Sequence, residues 1–345
     1  MSGNISSLNA FRFRVCNDAI CGLKVATICS ISTLTTLGNL ITLIVIGSTA
    51  SLRNCHGLLI MSLSLADFST GLVASLSIYP SVCSFWPFGD ITCQIAATTE
   101  AVVKKTSLLT LTLLSIERYI AVVHPLKYSR IITKQRIAAG LALCWFGPIA
   151  FFIALILTGQ SSGQYVFLFH SCTITYQSQI LSIALNVGLF ILPSVVILSV
   201  TTVLAWLGMK KVARVRAHMI AKLTPQAGQT HQAVKFFRMI RIMAFAFYAC
   251  WAPHVVIGFA CLLADVRQPW GVFFATYWLH FSNSFWNVII YSAMNKAFRR
   301  RAVSLFISPM RVRLCNSGDG SGNSLSATSR QPKITSVSAP SEGSS

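Results

Sequence analysis

Charge is scarce in this sequence, and negative charge is the scarcest. Charged residues make up 10% of the 345 positions and only 8 are Asp or Glu, whereas soluble domains carry about 25% charged residues. This shortage excludes an ordinary soluble domain, and it excludes disorder over most of the chain because disordered segments are polar. The net charge of +20 would suit a nucleic-acid-binding protein, but a mean hydropathy of +0.66 and 22 Phe do not. The composition therefore predicts an integral membrane protein.

Seven segments have the length and apolar character of membrane-spanning helices, which need ~20 mostly apolar residues to cross ~30 Å of hydrocarbon. The run 137–209 contains no Asp, Glu, Lys or Arg and is too long for one helix. Polar residues at 158–164 and 173–179 divide it into two spans. The predicted spans are 25–52, 58–85, 91–123, 137–157, 180–207, 242–263 and 272–294.

Basic residues near the membrane are distributed unevenly between its two sides. The loops after spans one, three and five and the C-terminal tail carry nineteen Lys and Arg, and the other side carries four. By the positive-inside rule the basic side is cytoplasmic. The N-terminus is then extracellular, with the first span as an uncleaved signal anchor. Asn4, in Asn4-Ile5-Ser6, becomes an acceptor for N-glycosylation on that side.

The predicted fold is an all-α membrane protein, a seven-transmembrane helix bundle over residues 25–294 that follows an extracellular N-terminus at 1–24. Residues 295–308 alternate basic and apolar side chains, which predicts a short cytoplasmic amphipathic helix on the membrane surface. The Ser/Thr-rich residues 309–345 predict a disordered cytoplasmic tail and a kinase substrate. Cys315 is either a palmitoylation site or an unmodified cytosolic thiol.

Short motifs stand at defined depths of the spans, at least one in each. They are Gly38-Asn39, Leu65-Ala66-Asp67, Trp86-Pro87-Phe88-Gly89, Cys93, Glu117-Arg118-Tyr119, Trp145, Cys172, Pro193, Cys250-Trp251-Ala252-Pro253, Asn287-Val288-Ile289-Ile290-Tyr291 and Phe298. In this order the set resembles the rhodopsin-like (class A) G-protein-coupled receptors over about residues 25–306. The seventh span looks most like a small amine-like group of orphan receptors within that family.

This resemblance implies a plasma-membrane receptor and not an enzyme. It would convert an extracellular small-molecule or peptide ligand, or its own outer loop, into activation of a heterotrimeric G protein by outward movement of the sixth helix. Arrestin and receptor kinases would act through the tail, and the basic cytoplasmic collar would hold anionic membrane lipid. The resemblance also implies a disulfide between Cys93 and Cys172, whereas Cys16 and Cys21 form a second pair only as one alternative.

By resemblance, four residues take part in the family's change between the inactive and the active state: Glu117, Arg118, Tyr119 and Tyr291. We refer to them as the switch residues. The alternative for Arg118 is an interfacial arginine whose charged end reaches the headgroups. Three positions depart from the family pattern: Val288 replaces a proline, Thr201 a tyrosine, and Ala233 an acidic residue. Because Ala233 offers Arg118 no carboxylate, we expect raised basal signalling.

Asp67 is a carboxylate near the middle of the second span, which is costly without partners. By resemblance it binds a sodium ion together with Ser107, Asn283 and Asn287, since hard oxygen ligands suit such a cation. The alternative is an Asp67 that is only hydrogen-bonded or protonated.

Glu100 and Lys104 lie four residues apart in the third span and therefore share one helix face. By resemblance Glu100 stands where amine receptors bind the ligand ammonium, which gives an aminergic alternative. The second alternative is a ligand-independent Glu100–Lys104 pair, and in a third Lys104 receives an acidic ligand. The rest of the predicted ligand site is Trp251, His254, Tyr277 and His280, with both histidines alternatively part of the core.

Other seven-span classes lack their own signals here. An opsin needs a lysine in the seventh span, but residues 268–295 contain none and the matching position is Phe281. A transporter, the alternative of another class, is expected to show internal repeats, and the spans show none. The sequence implies no cofactor other than the sodium ion.

Overall fold

The computed structural model describes residues 19–178, 180, 184–219, 227–264 and 270–306. Among these residues, seven long helices form the bundle. They are α1 (Ala19–Gly47), α2 (Cys55–Ser75), α3 (Asp90–Val123), α4 (Lys134–Leu157), α5 (Leu192–Met219), α6 (Ala227–Ala264) and α7 (Trp270–Met294). Helix α3 contacts α2, α4, α5 and α6, and α7 packs on α1, α2 and α6. A central α3 places its buried charges among the other helices.

An eighth helix, α8 (Lys296–Phe306), follows α7. The chain divides into a unit of residues 1–302 and a second unit of residues 303–345. The described part of the second unit, residues 303–306, continues α8. Within the first unit, Phe298 of α8 is buried against Tyr291 of α7, with ring centroids 4.9 Å apart.

The second predicted span is interrupted. Helix α2 ends at Ser75, and a separate short helix, Ile78–Cys83, follows. Pro80 has no backbone N–H to donate to the carbonyl of Leu76, so a continuous α-helix cannot be maintained there. The sequence placed one helix over 58–85 because its apolar character continues through the break.

The fifth predicted span also changes its geometry. Residues Ala184–Ile191 form a π-helix, and a regular α-helix starts at Leu192. Pro193 cannot donate the usual hydrogen bond one turn back, which explains why the wider turn lies directly before it. Helix α5 continues to Met219, beyond the apolar segment from which its span was predicted.

A β-hairpin lies between α4 and α5, where the sequence indicated only a polar connection. Strand β1 (Ser161–Val166) pairs antiparallel with β2 (Ser171–Tyr176). Gly163 lies so close to α3 that an added Cβ would stand 2.7 Å from the Cα of Gln94. The predicted disulfide between Cys93 and Cys172 is present and joins α3 to β2.

Four stretches of the described chain are long and apolar enough by themselves to cross a membrane: Ala19–Gly47, Cys55–Cys83, Lys134–Leu157 and Arg241–Gly258. Helix α3 is less apolar because it contains six charged residues, Asp90, Glu100, Lys104, Lys105, Glu117 and Arg118. Helix α7 runs without interruption through Val288, the position of the family's proline, and Val288 packs next to Gly38 of α1.

Candidate functional site

A cavity of about 280 Å³ lies between α3, α6, α7 and the hairpin. Its described lining includes every residue of the predicted ligand site, and it adds Lys105. The lining residues are Ala97, Glu100, Ala101, Lys104, Lys105, Phe152, Thr173, Ile174, Tyr176, Ile191, Trp251, His254, Val255, Tyr277 and His280. This volume is just below the range of ligand pockets, which measure ~300–1,000 Å³.

Glu100 and Lys104 form a buried ion pair in the cavity. The Lys104 Nζ donates to Glu100 Oε1 at 2.7 Å. The Tyr277 hydroxyl lies 3.0 and 3.2 Å from the two carboxylate oxygens. Lys104 Nζ also lies 3.4 Å from the centroid of the Phe281 ring, a cation–π contact. The pair predicted from the i, i+4 spacing is therefore present, and Tyr277 completes it from α7.

Trp251 and two histidines form another wall. The ring centroids of Trp251 and His280 are 4.0 Å apart, and those of His254 and His280 are 5.7 Å apart in a stacked arrangement. Lys105 Nζ lies 5.8 Å from the centroid of the Trp251 ring. Trp251 also contacts Phe247 one turn earlier in α6, at 5.0 Å.

The turn of the hairpin covers the Tyr277 side of the cavity. The Phe169 ring stacks on the Tyr277 ring at 4.2 Å with an interplanar angle of 10°. Trp278 Nε1 donates to the Phe169 carbonyl at 3.2 Å, which holds the turn in place. Next to it, His170 is buried, and burial together with the nearby Lys24 charge lowers its pKa to about 4.

Asp67 is fully buried and accepts three hydrogen bonds. Ser107 and Ser284 hydroxyls donate to Oδ1, each at 2.9 Å, and Asn287 Nδ2 donates to Oδ2 at 3.0 Å. Asn283, which the sequence grouped with these residues, makes no hydrogen bond to Asp67 among the described contacts. The Oδ1 atoms of Asn283 and Asn287 are buried without a hydrogen-bond partner in the described chain.

A second charged cluster lies at the C-terminal end of α3. Arg118 makes two hydrogen bonds to the neighbouring Glu117 carboxylate, which lies fully buried. Tyr128, in the connection to α4, donates to Glu117 as well, and His56 Nδ1 lies 3.3 Å from it. Burial, with Glu117 beside it, raises the pKa of Tyr128, so its hydroxyl stays protonated and donates.

Two other switch positions are anchored nearby. The Tyr291 hydroxyl accepts a hydrogen bond from Asn295 at 2.8 Å, and the Tyr119 ring contacts His124. Thr201, which stands in place of the family's tyrosine, hydrogen-bonds the hydroxyl of Ser115 and so joins α5 to α3.

The comparisons with known proteins agree with this architecture. The family described as 7 transmembrane receptor (rhodopsin family) matches residues 38–291. The chain belongs to this family of receptors. The receptor is 27% identical over 289 residues to the melatonin receptor type 1A of Phodopus sungorus, with 81% of this chain and 78% of the relative covered. It is 28% identical over 297 residues to the human histamine H2 receptor, with 84% and 81% covered.

A solved structure supports the fold. The receptor superposes on squid rhodopsin with a TM-score of 0.73 at 18% identity, and the match covers 88% of this chain and 89% of the rhodopsin. The predicted fold class is thus confirmed, and the chain is a multi-pass membrane receptor and not an enzyme. The family match, the relatives and the solved structure give no support to the transporter alternative.

Several contacts of the receptor were not predicted. Lys105 was predicted, with Lys104, to be a buried positive charge of the third span that concerns a ligand, but it was not assigned to the ligand site. Ser284 precedes Asn287 by three residues on the same helix face, which would have placed it near Asp67. The contacts of Phe169 and Tyr128 depend on chain connections outside the spans and had no sequence signal.

Some predictions lie outside the described residues. These are the glycosylation site Asn4, the palmitoylation site Cys315 and the tail 309–345. Cys21 is disulfide-bonded, and Cys16, its predicted alternative partner, also lies outside the described residues.

Proposed function

We propose that this receptor activates a heterotrimeric G protein when a ligand in the cavity moves α6. The observation that carries the proposal is that α6 is one helix from Ala227 to Ala264 and contributes Trp251 to the cavity wall. A displacement of Trp251 is therefore a displacement of the helix that the family uses to open its cytoplasmic side.

Pro253 gives α6 a point at which to bend. It lies inside the helix, two residues after Trp251, and it cannot donate a hydrogen bond to the Ala249 carbonyl. Trp251 contacts His280 of α7 on one side and Phe247 of its own helix on the other. A ligand that separates Trp251 from His280 would favour a different tilt of the segment before Pro253.

Glu117 and Arg118 are proposed as the switch that the movement of α6 controls. In the structure the Arg118 guanidinium is held by its own neighbour, and Glu117 is shared with Tyr128 and His56. Release of Arg118 from Glu117 would free a cation for the carboxyl-terminal segment of the G protein. The proposal requires this cluster to face the cytoplasm, which means that the receptor lies in the plasma membrane with its N-terminus outside.

Asp67 is proposed to bind sodium in the resting state. The oxygen types suit a hard cation, because two hydroxyls contact the Asp67 carboxylate and the Oδ1 atoms of Asn283 and Asn287 are buried without a hydrogen-bond partner in the described chain. When bound, the ion would supply a positive charge next to Asp67. Ser107, Ser284 and Asn287 hold that carboxylate between α3 and α7.

An amine ligand is the second candidate, since the human histamine H2 receptor is among the relatives. The geometry disfavours it. Both oxygens of Glu100 already accept hydrogen bonds, from Lys104 and Tyr277. An ammonium group would have to displace Lys104 from a contact of 2.7 Å.

The test is nucleotide exchange on purified G proteins by the receptor in lipid vesicles. Arg118→Ala should abolish the receptor-dependent exchange. The matched control is Arg136→Ala, because that guanidinium donates to the carbonyls of Arg130 and Ile131 and not to the switch. Equal exchange by wild type and Arg118→Ala, or no exchange with any G-protein class, would contradict the proposal.

A further inference from the structure

Tyr248 of α6 makes hydrogen bonds across to α5. Its hydroxyl lies 2.7 Å from the Ser199 hydroxyl, and it donates to the Val195 carbonyl at 3.3 Å. A tyrosine hydroxyl has one proton to donate, so the Ser199 hydroxyl donates to the Tyr248 oxygen while Tyr248 donates to Val195. Val195 and Ser199 are four residues apart and lie about one turn from each other on α5. We call this pair of hydrogen bonds the α5–α6 bridge.

The bridge lies on the segment of α6 that would tilt about Pro253. Tyr248 precedes Pro253 by five residues, which is about 7.5 Å along the helix axis. A change in tilt of about 20° at a proline kink would displace Tyr248 by about 2.6 Å. Even a sideways displacement of this size would lengthen the contact of 2.7 Å to about 3.7 Å, which is beyond hydrogen-bond range. Tilting of α6 away from α5 therefore breaks the bridge.

Helix α5 is itself joined to α3 next to the bridge. Thr201, two residues after Ser199, hydrogen-bonds the hydroxyl of Ser115 on α3. Ser115 precedes Arg118 by three residues and lies about one turn from it. In the same structure Arg118 is hydrogen-bonded to Glu117, which is the arrangement proposed above to precede activation. The bridge is therefore formed in the state in which Arg118 is still held.

We propose that Tyr248 and Ser199 are positioning residues that hold α6 against α5 in the resting state of the receptor. Ala233 gives α6 no carboxylate for Arg118, and the α5–α6 bridge restrains the same helix through hydroxyl groups. Both bridge residues are half-buried, and the hydrocarbon of a membrane offers a separated hydroxyl no new partner. This inference rests on the proposed receptor function and specifies what opposes the movement of α6 when no ligand is bound.

The experiment removes the hydroxyls of the bridge one at a time. Tyr248→Phe and Ser199→Ala each delete one side of it with little change of shape, and the double variant deletes both. Ser199→Thr keeps a hydroxyl and should retain the bridge. The matched control is Thr202→Val, because the Thr202 hydroxyl donates to the Leu198 carbonyl of its own helix at 2.6 Å. The melting temperature shows whether each variant is folded.

Two independent readouts are taken on the full-length receptor in lipid vesicles without added ligand. A trifluoromethyl-phenylalanine incorporated at the exposed position 238 of α6 reports the resting and displaced populations of the helix by fluorine NMR. Nucleotide exchange on G proteins reports coupling. Each single variant should raise the displaced population, while it is the minor state, by about threefold to twentyfold, which is the range for hydrogen bonds between helices in membranes. The double variant should add no further rise, because either single change already removes the bridge.

The outcomes separate the two proposals. A rise in the displaced population in Tyr248→Phe and Ser199→Ala that is absent in Ser199→Thr and Thr202→Val supports the inference. Unchanged or smaller displaced populations, single effects that add up in the double variant, or an equal rise in Thr202→Val overturns it. A displaced population that rises without more nucleotide exchange supports the bridge and contradicts the coupling. Exchange that depends on Arg118, with helix populations that do not change in Tyr248→Phe, contradicts the bridge alone.

Discussion

Removing Glu100 and Lys104 singly and together should separate the attraction within the ion pair from the cost of burying it. The two charged atoms are 2.7 Å apart, which corresponds to about 6 kcal/mol of attraction at an effective dielectric constant of about 20. Desolvation of both ions opposes this gain. The Tyr277 hydroxyl would still solvate Glu100 after Lys104→Met, and the Phe281 ring would still contact Lys104 after Glu100→Gln.

We therefore expect each single variant to lower the free energy of unfolding by about 3 kcal/mol, the lower end for breaking a buried pair. The double variant Glu100→Gln/Lys104→Met should lose only about 1 kcal/mol, because no unmatched charge is left from the pair. The measurement is equilibrium unfolding in mixed micelles, with Lys210→Met as the control for a lost surface lysine. A double variant whose loss equals that of both singles together would refute the reasoning, since the two residues would then act independently.

Three further predictions concern sites away from this pair. His170 has a pKa of about 4 in the folded receptor and an ordinary value of 6.5. Between these two pH values the unfolded chain binds more protons than the folded receptor. The free energy of unfolding should therefore fall by up to about 3 kcal/mol as the pH drops from 6.5 to 4. The variant His170→Asn tolerates the positive φ at this position, and its melting temperature should depend less on pH than that of the wild type. Ala233→Glu should lower basal nucleotide exchange relative to Ala233→Gln, because it offers Arg118 a carboxylate on α6; unchanged exchange counts against the idea. Sodium chloride should raise the melting temperature above that in choline chloride for wild type, and Asp67→Asn should abolish the difference, which would persist if sodium bound elsewhere.

The helices were predictable from sequence because the spans are largely apolar and each has a local motif, although only four stretches of the described chain are apolar enough by themselves to cross a membrane. The ends of the helices were less predictable. The first span was started at 25, after the charge of Lys24, but a single lysine does not end a helix and α1 starts at Ala19. Helices α5 and α6 extend beyond 207 and before 242, since a polar sequence can continue a helix outside the hydrocarbon. The β-hairpin depends on pairing between strands, which an apolar run does not reveal.

Within the site, contacts along one helix were predictable and contacts between distant elements were not. The i, i+4 spacing was enough for Glu100 and Lys104. The hydrogen bond from Tyr277 to Glu100 joins residues 177 positions apart, and it depends on how α7 packs beside α3. Family resemblance grouped Asp67 with Ser107, Asn283 and Asn287; in the structure Ser107 and Asn287 hydrogen-bond the carboxylate, and Ser284 is a third donor to it.

The stack of Phe169 on Tyr277 has a consequence for the timing of ligand exchange. The turn that carries Phe169 belongs to a hairpin that the Cys93–Cys172 disulfide fastens to α3. A molecule that enters past this turn must first part the two rings and break the Trp278 hydrogen bond to the Phe169 carbonyl. The rates of ligand association and dissociation are then limited by the opening of the hairpin and not by diffusion. Even a ligand of low affinity would therefore have a long residence time.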